Sequence, residues 1–423
     1  MKQSCFKFAS KHKICLVILL TNLGAVSPVI AKEIYFKPSI SIQTEYDDNK
    51  RLKTNRFNNI DTSAFGIITR VNAKVGARSD RYEVALDNQF ILNRYKSAFD
   101  LDSEDFNFNL TSNYQLTERN NISLGASFKR DTTLTSELDV NGSGSGIIQD
   151  NIRHEQWSID PSWSYTLSST QFLQASYTHA EHNYKKSAVG GGLVNYTIDN
   201  FSSSFTQQWT PLFSNFLSFS ALSFKIPKIE QGNVESSRKT TEYSINIGAQ
   251  YQIAPTWSTS LSVGERFTTT KATQTLKVNN FDLGTTSNDV QGLIFSFSLD
   301  KQFETGKANI TYSRSTSPQG QGRLQVSENL VASFDHRFNQ KLQVTLNGSL
   351  NDVSTSGNVN DGNDRTYFDI RPTIRWGFDK QTSLTASYRY RTQSFNDRNE
   401  EAISNAVILN FNYRWDKIST QKY

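Results

Sequence analysis

Cysteine occurs only at Cys5 and Cys15, and methionine only at Met1. All three fall within the first 31 residues, which read as a secretory leader. Lys2, Lys7, Lys11 and Lys13 make a positive start, ICLVILL (14–20) is the apolar stretch, and Val29-Ile30-Ala31 suits a signal peptidase. Cleavage after Ala31 leaves a chain with no thiol, disulfide or cysteine-ligated metal, although it enters an oxidising compartment. Long apolar runs are missing too. The 14–20 run is too short to span a bilayer as a helix. A mean hydropathy of −0.54 and an apolar content of 36% exclude a helical membrane protein. Charge of one sign is also lacking, because removing the four leader lysines takes the formal net charge from +5 to +1. No polybasic tail remains to attract nucleic acid or anionic lipid.

What the chain does contain is one hairpin written five times. The copies are NYQLTERNNISLGASF (113–128), SYTLSSTQFLQASY (164–177), QYQIAPTWSTSLSV (250–263), DHRFNQKLQVTLNGSL (335–350) and RWGFDKQTSLTASY (375–388). Each runs from an apolar or aromatic strand end, through a short polar turn, into alternating apolar and small polar residues. Strand side chains switch faces at every residue, so each copy specifies one apolar and one wet face. Tyr243, Ile245, Ile247, Ala249, Tyr251 and Ile253 oppose Ser244, Asn246, Gly248, Gln250 and Gln252, and the final strand sets Val407, Leu409, Phe411, Tyr413 and Trp415 outward.

Short turns (TERN, SST, TGK, NQK, DKQ) alternate with longer polar loops such as 135–146, 185–193, 271–288 and 354–364. Outer-membrane barrels show that asymmetry, with tight periplasmic turns and long external loops. Aromatics gather near strand ends, as at Tyr114, Tyr165, Tyr251, Phe338, Trp376, Phe378 and Trp415, which fits an interfacial girdle. A soluble β-sandwich also alternates, but this pattern runs for most of the chain without a linker, beyond one sandwich core. The expected fold is all-β: an antiparallel, up-and-down transmembrane barrel over 32–423, of about 18 strands, with 16 as the alternative because 196–226 is hard to divide. The terminal LNFNYRW carries the alternation read by barrel-assembly machinery, followed by a short tail, 416–423.

Phasing assigns an inward set of cations. With Phe368, Ile370, Ile374 and Trp376 outward, Arg371 and Arg375 face the lumen. With Leu384, Ala386, Tyr388 and Tyr390 outward, Arg389 and Arg391 do so, and Arg414 follows on the last strand. Closure brings Arg70, Lys74 and Arg78 nearby if Phe65, Ile67, Val71 and Val75 face lipid. Arginine presents paired donors in a rigid fork, so such a wall favours anions and acidic sugars. The same arginines serve equally well as braces against carboxylates such as Glu45, Asp87, Asp300, Asp335 and Asp369. Both roles stay open at this point.

From about residue 310 onward, SRSTSPQGQGRLQVSENLVASFDHRFNQKLQVTL and the ending SYRYRTQSFNDRNEEAISNAVILNFNYRW resemble the β-barrel porins associated with exopolysaccharide and exosortase loci. The resemblance covers the last quarter to third of the chain. It implies an outer-membrane barrel serving surface-polysaccharide export, with anionic polysaccharide and export-complex proteins as partners besides outer-membrane lipid and the assembly machinery.

Other motifs point nowhere specific. His179 and His182 lie three apart in a strand, on opposite faces, and so do not chelate one metal together. No GxSxG accompanies the plentiful Ser and Asp, and the glycine runs lack a strand–loop–helix setting. Acidic stretches at 47–50 and 396–401 read as solvated rim. The expectation is therefore a channel without catalytic residues, cofactor, metal or nucleic-acid partner. General diffusion porin and non-conducting structural or adhesive barrel are the alternatives.

Overall fold

The computed structural model describes residues 33–421 except 55–61, 97, 134–150, 186–192, 232, 277–280, 320–323, 356–363 and 397–398. The leader and most of the loops at 135–146, 185–193 and 354–364 lie outside the described residues.

The chain forms one sheet of long strands. They begin with β1 (Glu33–Asp47), β2 (Ala64–Arg78), β3 (Tyr82–Lys96), β4 (Ser103–Thr117), β5 (Asn120–Thr132) and β6 (Arg153–Ser168). Next come β7 (Gln171–Tyr184), β8 (Tyr196–Thr210), β9 (Phe213–Gln231), β10 (Val234–Ala254), β11 (Trp257–Leu276) and β12 (Phe281–Phe303). The last are β13 (Gly306–Pro318), β14 (Leu324–Arg337), β15 (Leu342–Thr355), β16 (Arg365–Gly377), β17 (Thr382–Phe395) and β18 (Glu400–Arg414). Each pairs antiparallel with the next, and β1 pairs with β2 on one edge and β18 on the other. The barrel is closed at 18 strands. Closure satisfies the backbone within the sheet, which a wall facing hydrocarbon requires.

A short β19 (Ile418–Gln421) continues beside β1 below β18, with Ile418 opposite Phe36 and Ile34 opposite Thr420. Over these residues the tail is part of the wall.

The strand phases follow the alternation. Phe65, Ile67, Val71 and Val75 on β2, Leu384 and Tyr388 on β17, and Val407, Leu409 and Phe411 on β18 are all exposed on the outer face. At the short-turn end Tyr114, Tyr251, Phe338, Trp376, Phe378 and Trp415 are exposed, joined by Trp209 and Trp257. Connections leaving β2, β4 and every further even strand through β16 run two to four residues, and both described chain ends lie at that same end.

Two features depart from the sequence reading. Residues 271–288, read as a loop, are mostly paired strand: Lys271 sits opposite Ser287 and Thr273 opposite Thr285. Threonine-rich sequence pairs well in a sheet but is polar on both faces, so it gives no alternating signal. As a result β9 to β12 reach 19, 21, 20 and 23 residues and extend beyond their neighbours. The indistinct 196–226 region resolves into β8 and most of β9, turning at Pro211-Leu212.

The second feature lies at β12 and β13. Their pairing stops at Phe295 opposite Arg314, while β13 and β14 stay paired up to Pro318 opposite Leu324. Above that point Leu324 and Val326 are buried, and Leu324 packs with Ile152, Tyr184, Tyr196, Phe224 and Ile226. Tyr184, Tyr196 and Phe224 lie on the inward faces of β7, β8 and β9. Thr316 Oγ1 on β13 donates to Glu242 Oε1 on β10 at 2.7 Å. Three strand steps along a sheet cover about 14 Å, so that hydrogen bond cuts a chord across the wall. The described ends of β13 and β14 therefore turn into the barrel and pack beneath β8 to β11.

Candidate functional site: a two-tier cationic face at the barrel closure

The predicted cations lie on the inward-facing side of four strands, β16, β17, β18 and β2, which flank β1 around the seam. Alternation places them there, since their neighbours Ile374, Trp376, Leu384, Tyr388, Phe411, Val71 and Val75 are exposed on the opposite side. The structure separates them into two tiers with different chemistry.

The tier toward the loop end is packed and paired. Arg391 is 3% exposed and Asp47 2% exposed. Arg391 Nη2 donates to Asp47 Oδ2 at 2.8 Å and to Ser404 Oγ at 2.9 Å, and Ser404 Oγ donates to Asp47 Oδ1 at 2.8 Å. Three strands, β17, β18 and β1, are thus tied by one charged network. Arg389 Nε pairs with Asp369, and its Nη2 lies 3.4 Å from the Tyr367 hydroxyl. Arg70 Nη1 donates to Gln43 Oε1 at 2.9 Å, and Gln43 Nε2 donates to Glu45 Oε2 at 3.0 Å. Glu45 also pairs with Lys50, from the turn after β1. Burial works against the Lys50 ammonium, but Glu45, Tyr95 and Asp47 outweigh it and hold its pKa above the usual lysine value. Arg371 is the exception in this tier: its Nε is buried and has no hydrogen-bond partner.

The tier toward the short turns is open. Arg375 and Arg414 are exposed and line a cavity of about 260 Å³ with Ser39, Asn72, Thr385 and Asn412. Lys74 lines a second cavity of about 670 Å³ that again includes Arg414. Among the described residues, neither arginine nor Lys74 has an ion-pair partner. Lys74 lies opposite Asp87 in the β2–β3 register and opposite Lys37 in β1–β2.

Several expected bracing partners take other roles. Asp300 accepts from Asn309 Nδ2 at 2.8 Å, and Asp335 accepts from Gln343 and from Thr345 Oγ1 at 2.9 Å. Sequence reasoning missed Asp47, Lys50 and Ser404. The stretch 47–50 was expected to be solvated rim, yet Asp47 is buried and Asp48 accepts from the Asn405 backbone and side-chain amides at 2.7 and 2.8 Å. Proximity to a strand end looks like loop in sequence, whereas closure folds this end of β1 against β18.

The histidines separate by face. His179 on the outer side binds Asp199 at 2.7 Å, while His182 on the inner side stacks on Tyr196 and lies 3.2 Å from His154. His154 in turn contacts Asp131 at 2.9 Å in a buried polar cluster.

No family model matches the sequence, and no curated protein matches it. Among solved structures, the chain is similar to OccAB4 of Acinetobacter baumannii, with 9% identity, 92% of this chain and 100% of that chain covered, and a TM-score of 0.47. It is similar to OccK3 (OpdO) of Pseudomonas aeruginosa at 11% identity, 90% and 96% coverage and a TM-score of 0.45. It is likewise similar to the ferric-catecholate import receptor Fiu from E. coli K12 in its open form, at 8% identity, 89% and 81% coverage and a TM-score of 0.47.

Proposed function

We propose that this protein is an outer-membrane channel whose inward cations favour anionic solutes, and that it serves the passage of an acidic surface polysaccharide. The belt of exposed Ile, Leu, Val and Phe bounded by exposed Trp and Tyr supports a membrane setting, with lipid on the outer face and insertion by the barrel-assembly machinery. Both described chain ends and the short turns then lie on the periplasmic side.

The observation that carries the reading is the unequal state of the cations. Arg389 and Arg391 are committed to carboxylates, whereas Arg375, Arg414 and Lys74 face open cavities. Unneutralised charge in a narrow aqueous space selects by sign. The buried inward residues at the loop end, His154, Asp131, Glu45 and Arg391 among them, favour a dedicated exporter that conducts weakly over a general diffusion porin.

The test is the reversal potential of purified protein in a planar bilayer under a KCl gradient. Anion preference is expected, reduced by Arg375→Gln and Arg414→Gln. Cation preference overturns the anion reading. Complete absence of current at every voltage favours the structural-barrel alternative.

A further inference from the structure

At the short-turn mouth, Lys74 and Arg414 are joined by Lys37, Lys380 and Lys417, three cations that the sequence pattern did not single out. The cavity of about 670 Å³ is lined by Lys37, Lys74, Lys380, Arg414 and Lys417. They come from β1, β2, the β16–β17 turn, the end of β18 and the approach to β19, so the group exists only because the barrel closes there.

Its charges are unbalanced. Lys417 pairs with Glu33, and Asp416 accepts from Gln381 Nε2 at 2.7 Å. Lys37, Lys74, Lys380 and Arg414 have no carboxylate partner among the described residues; Lys37 lies over the Tyr35 ring at 4.8 Å. Asp87 is the one further carboxylate lining the space. The carboxamides of Asn72, Gln89 and Gln381 line the same space. A single small anion engages one or two such groups. Four cations and three carboxamides around one space match a chain that repeats a carboxylate and presents hydroxyls between the repeats.

We propose that this mouth is a loading site for an acidic glycan chain, which enters the barrel from the short-turn end. The direction of travel rests on the channel reading above; the binding site does not.

The experiment has two arms on the full-length protein. In detergent, anisotropy of a fluorescent oligogalacturonate measures binding, with a neutral dextran oligosaccharide of equal length as control. Saturable, salt-sensitive binding of the acidic chain alone is expected, weakened about fivefold by each of Lys74→Gln and Lys380→Gln, the upper range for an exposed charge contact. Asp87→Asn is expected to tighten it, a change that general damage to the barrel does not produce. In the bilayer, oligogalacturonate is expected to block current from the short-turn side only. Equal binding of the neutral chain, or affinities unmoved by all three substitutions, overturns the loading site. Absent current with binding intact counts against the channel alone. Anion-selective current with neither binding nor sided block counts against the loading site alone.

Discussion

Arg391 and Asp47 form a buried ion pair that joins the penultimate long strand to the first, across a separation of 344 positions in the chain. Ser404 on β18 bonds both partners, so the pair also fixes the strand through which the barrel closes. Removing one partner leaves the other charge buried and uncompensated. Arg391→Ala or Asp47→Ala is therefore expected to cost about 3–5 kcal/mol, whereas replacing both by apolar residues of similar volume is expected to recover most of the loss. Urea unfolding in lipid vesicles, followed by tryptophan fluorescence, measures this. Single substitutions costing under about 1 kcal/mol, the level of an exposed pair, sink the assignment.

The fold was legible because a barrel wall has one lipid face, and lipid exposure imposes a period of two on every strand that crosses it. That period placed Arg371, Arg375, Arg389, Arg391, Arg414, Arg70 and Lys74 on the inward side. It did not say which of them were neutralised. Asp47, the partner of Arg391, approaches it only through closure, and no local pattern marks a contact across that distance. The Thr-rich ends of β11 and β12 escaped notice for a different reason, since strand polar on both faces carries no alternation.

Arg371 offers a test in the opposite direction. Its Nε is buried without a partner, and the guanidinium lies across from Arg389 in strand order, a like charge. Replacement by Met keeps most of the stem volume and removes both the desolvation cost and the repulsion. Arg371→Met is expected to leave the urea midpoint unchanged or higher. A loss of more than about 2 kcal/mol, comparable to breaking a charged hydrogen bond, would show that the guanidinium is stabilising.

The short turns depend on single acceptors. Asp379 Oδ1 takes the Gln381 and Thr382 backbone amides at 2.7 and 2.6 Å, and Asn339 Oδ1 takes those of Lys341 and Leu342 at 2.8 Å each. The two amides facing Asp379 hold its pKa below the ordinary carboxylate value. A depressed folded-state pKa stabilises above the unfolded value, near about 3.9, and that contribution is lost as pH falls through the lower folded value. Asp379→Asn, which keeps the acceptor oxygen, is expected to match the parent more closely at pH 3 than at pH 7. Asn339→Ala is expected to be destabilising at both. Equal differences for Asp379→Asn at the two pH values, read from vesicle refolding yields, refute the charge-assisted turn.

The chord from Thr316 to Glu242 predicts how the inner end of the barrel responds to a lost acceptor. Glu242 accepts Thr316 Oγ1 through both carboxylate oxygens, at 2.7 and 2.9 Å, and takes Thr268 Oγ1 at 2.9 Å; Arg266 Nη1 lies 3.6 Å away. One carboxylate on β10 thus holds β11 and the inturned end of β13 together. Glu242→Ala removes the acceptor while leaving the apolar seat of Leu324 on Tyr196 and Phe224 in place. Conductance of the Glu242→Ala channel is expected to rise and to become noisier as that end of β13 loosens. A cysteine pair at 242 and 316, oxidised, is expected to return it to the parental level, and reduction to release it again. The sequence holds only Cys5 and Cys15 besides, both within the segment expected to be removed as a leader. Unchanged conductance in both redox states would mean that this end of β13 does not limit the pore.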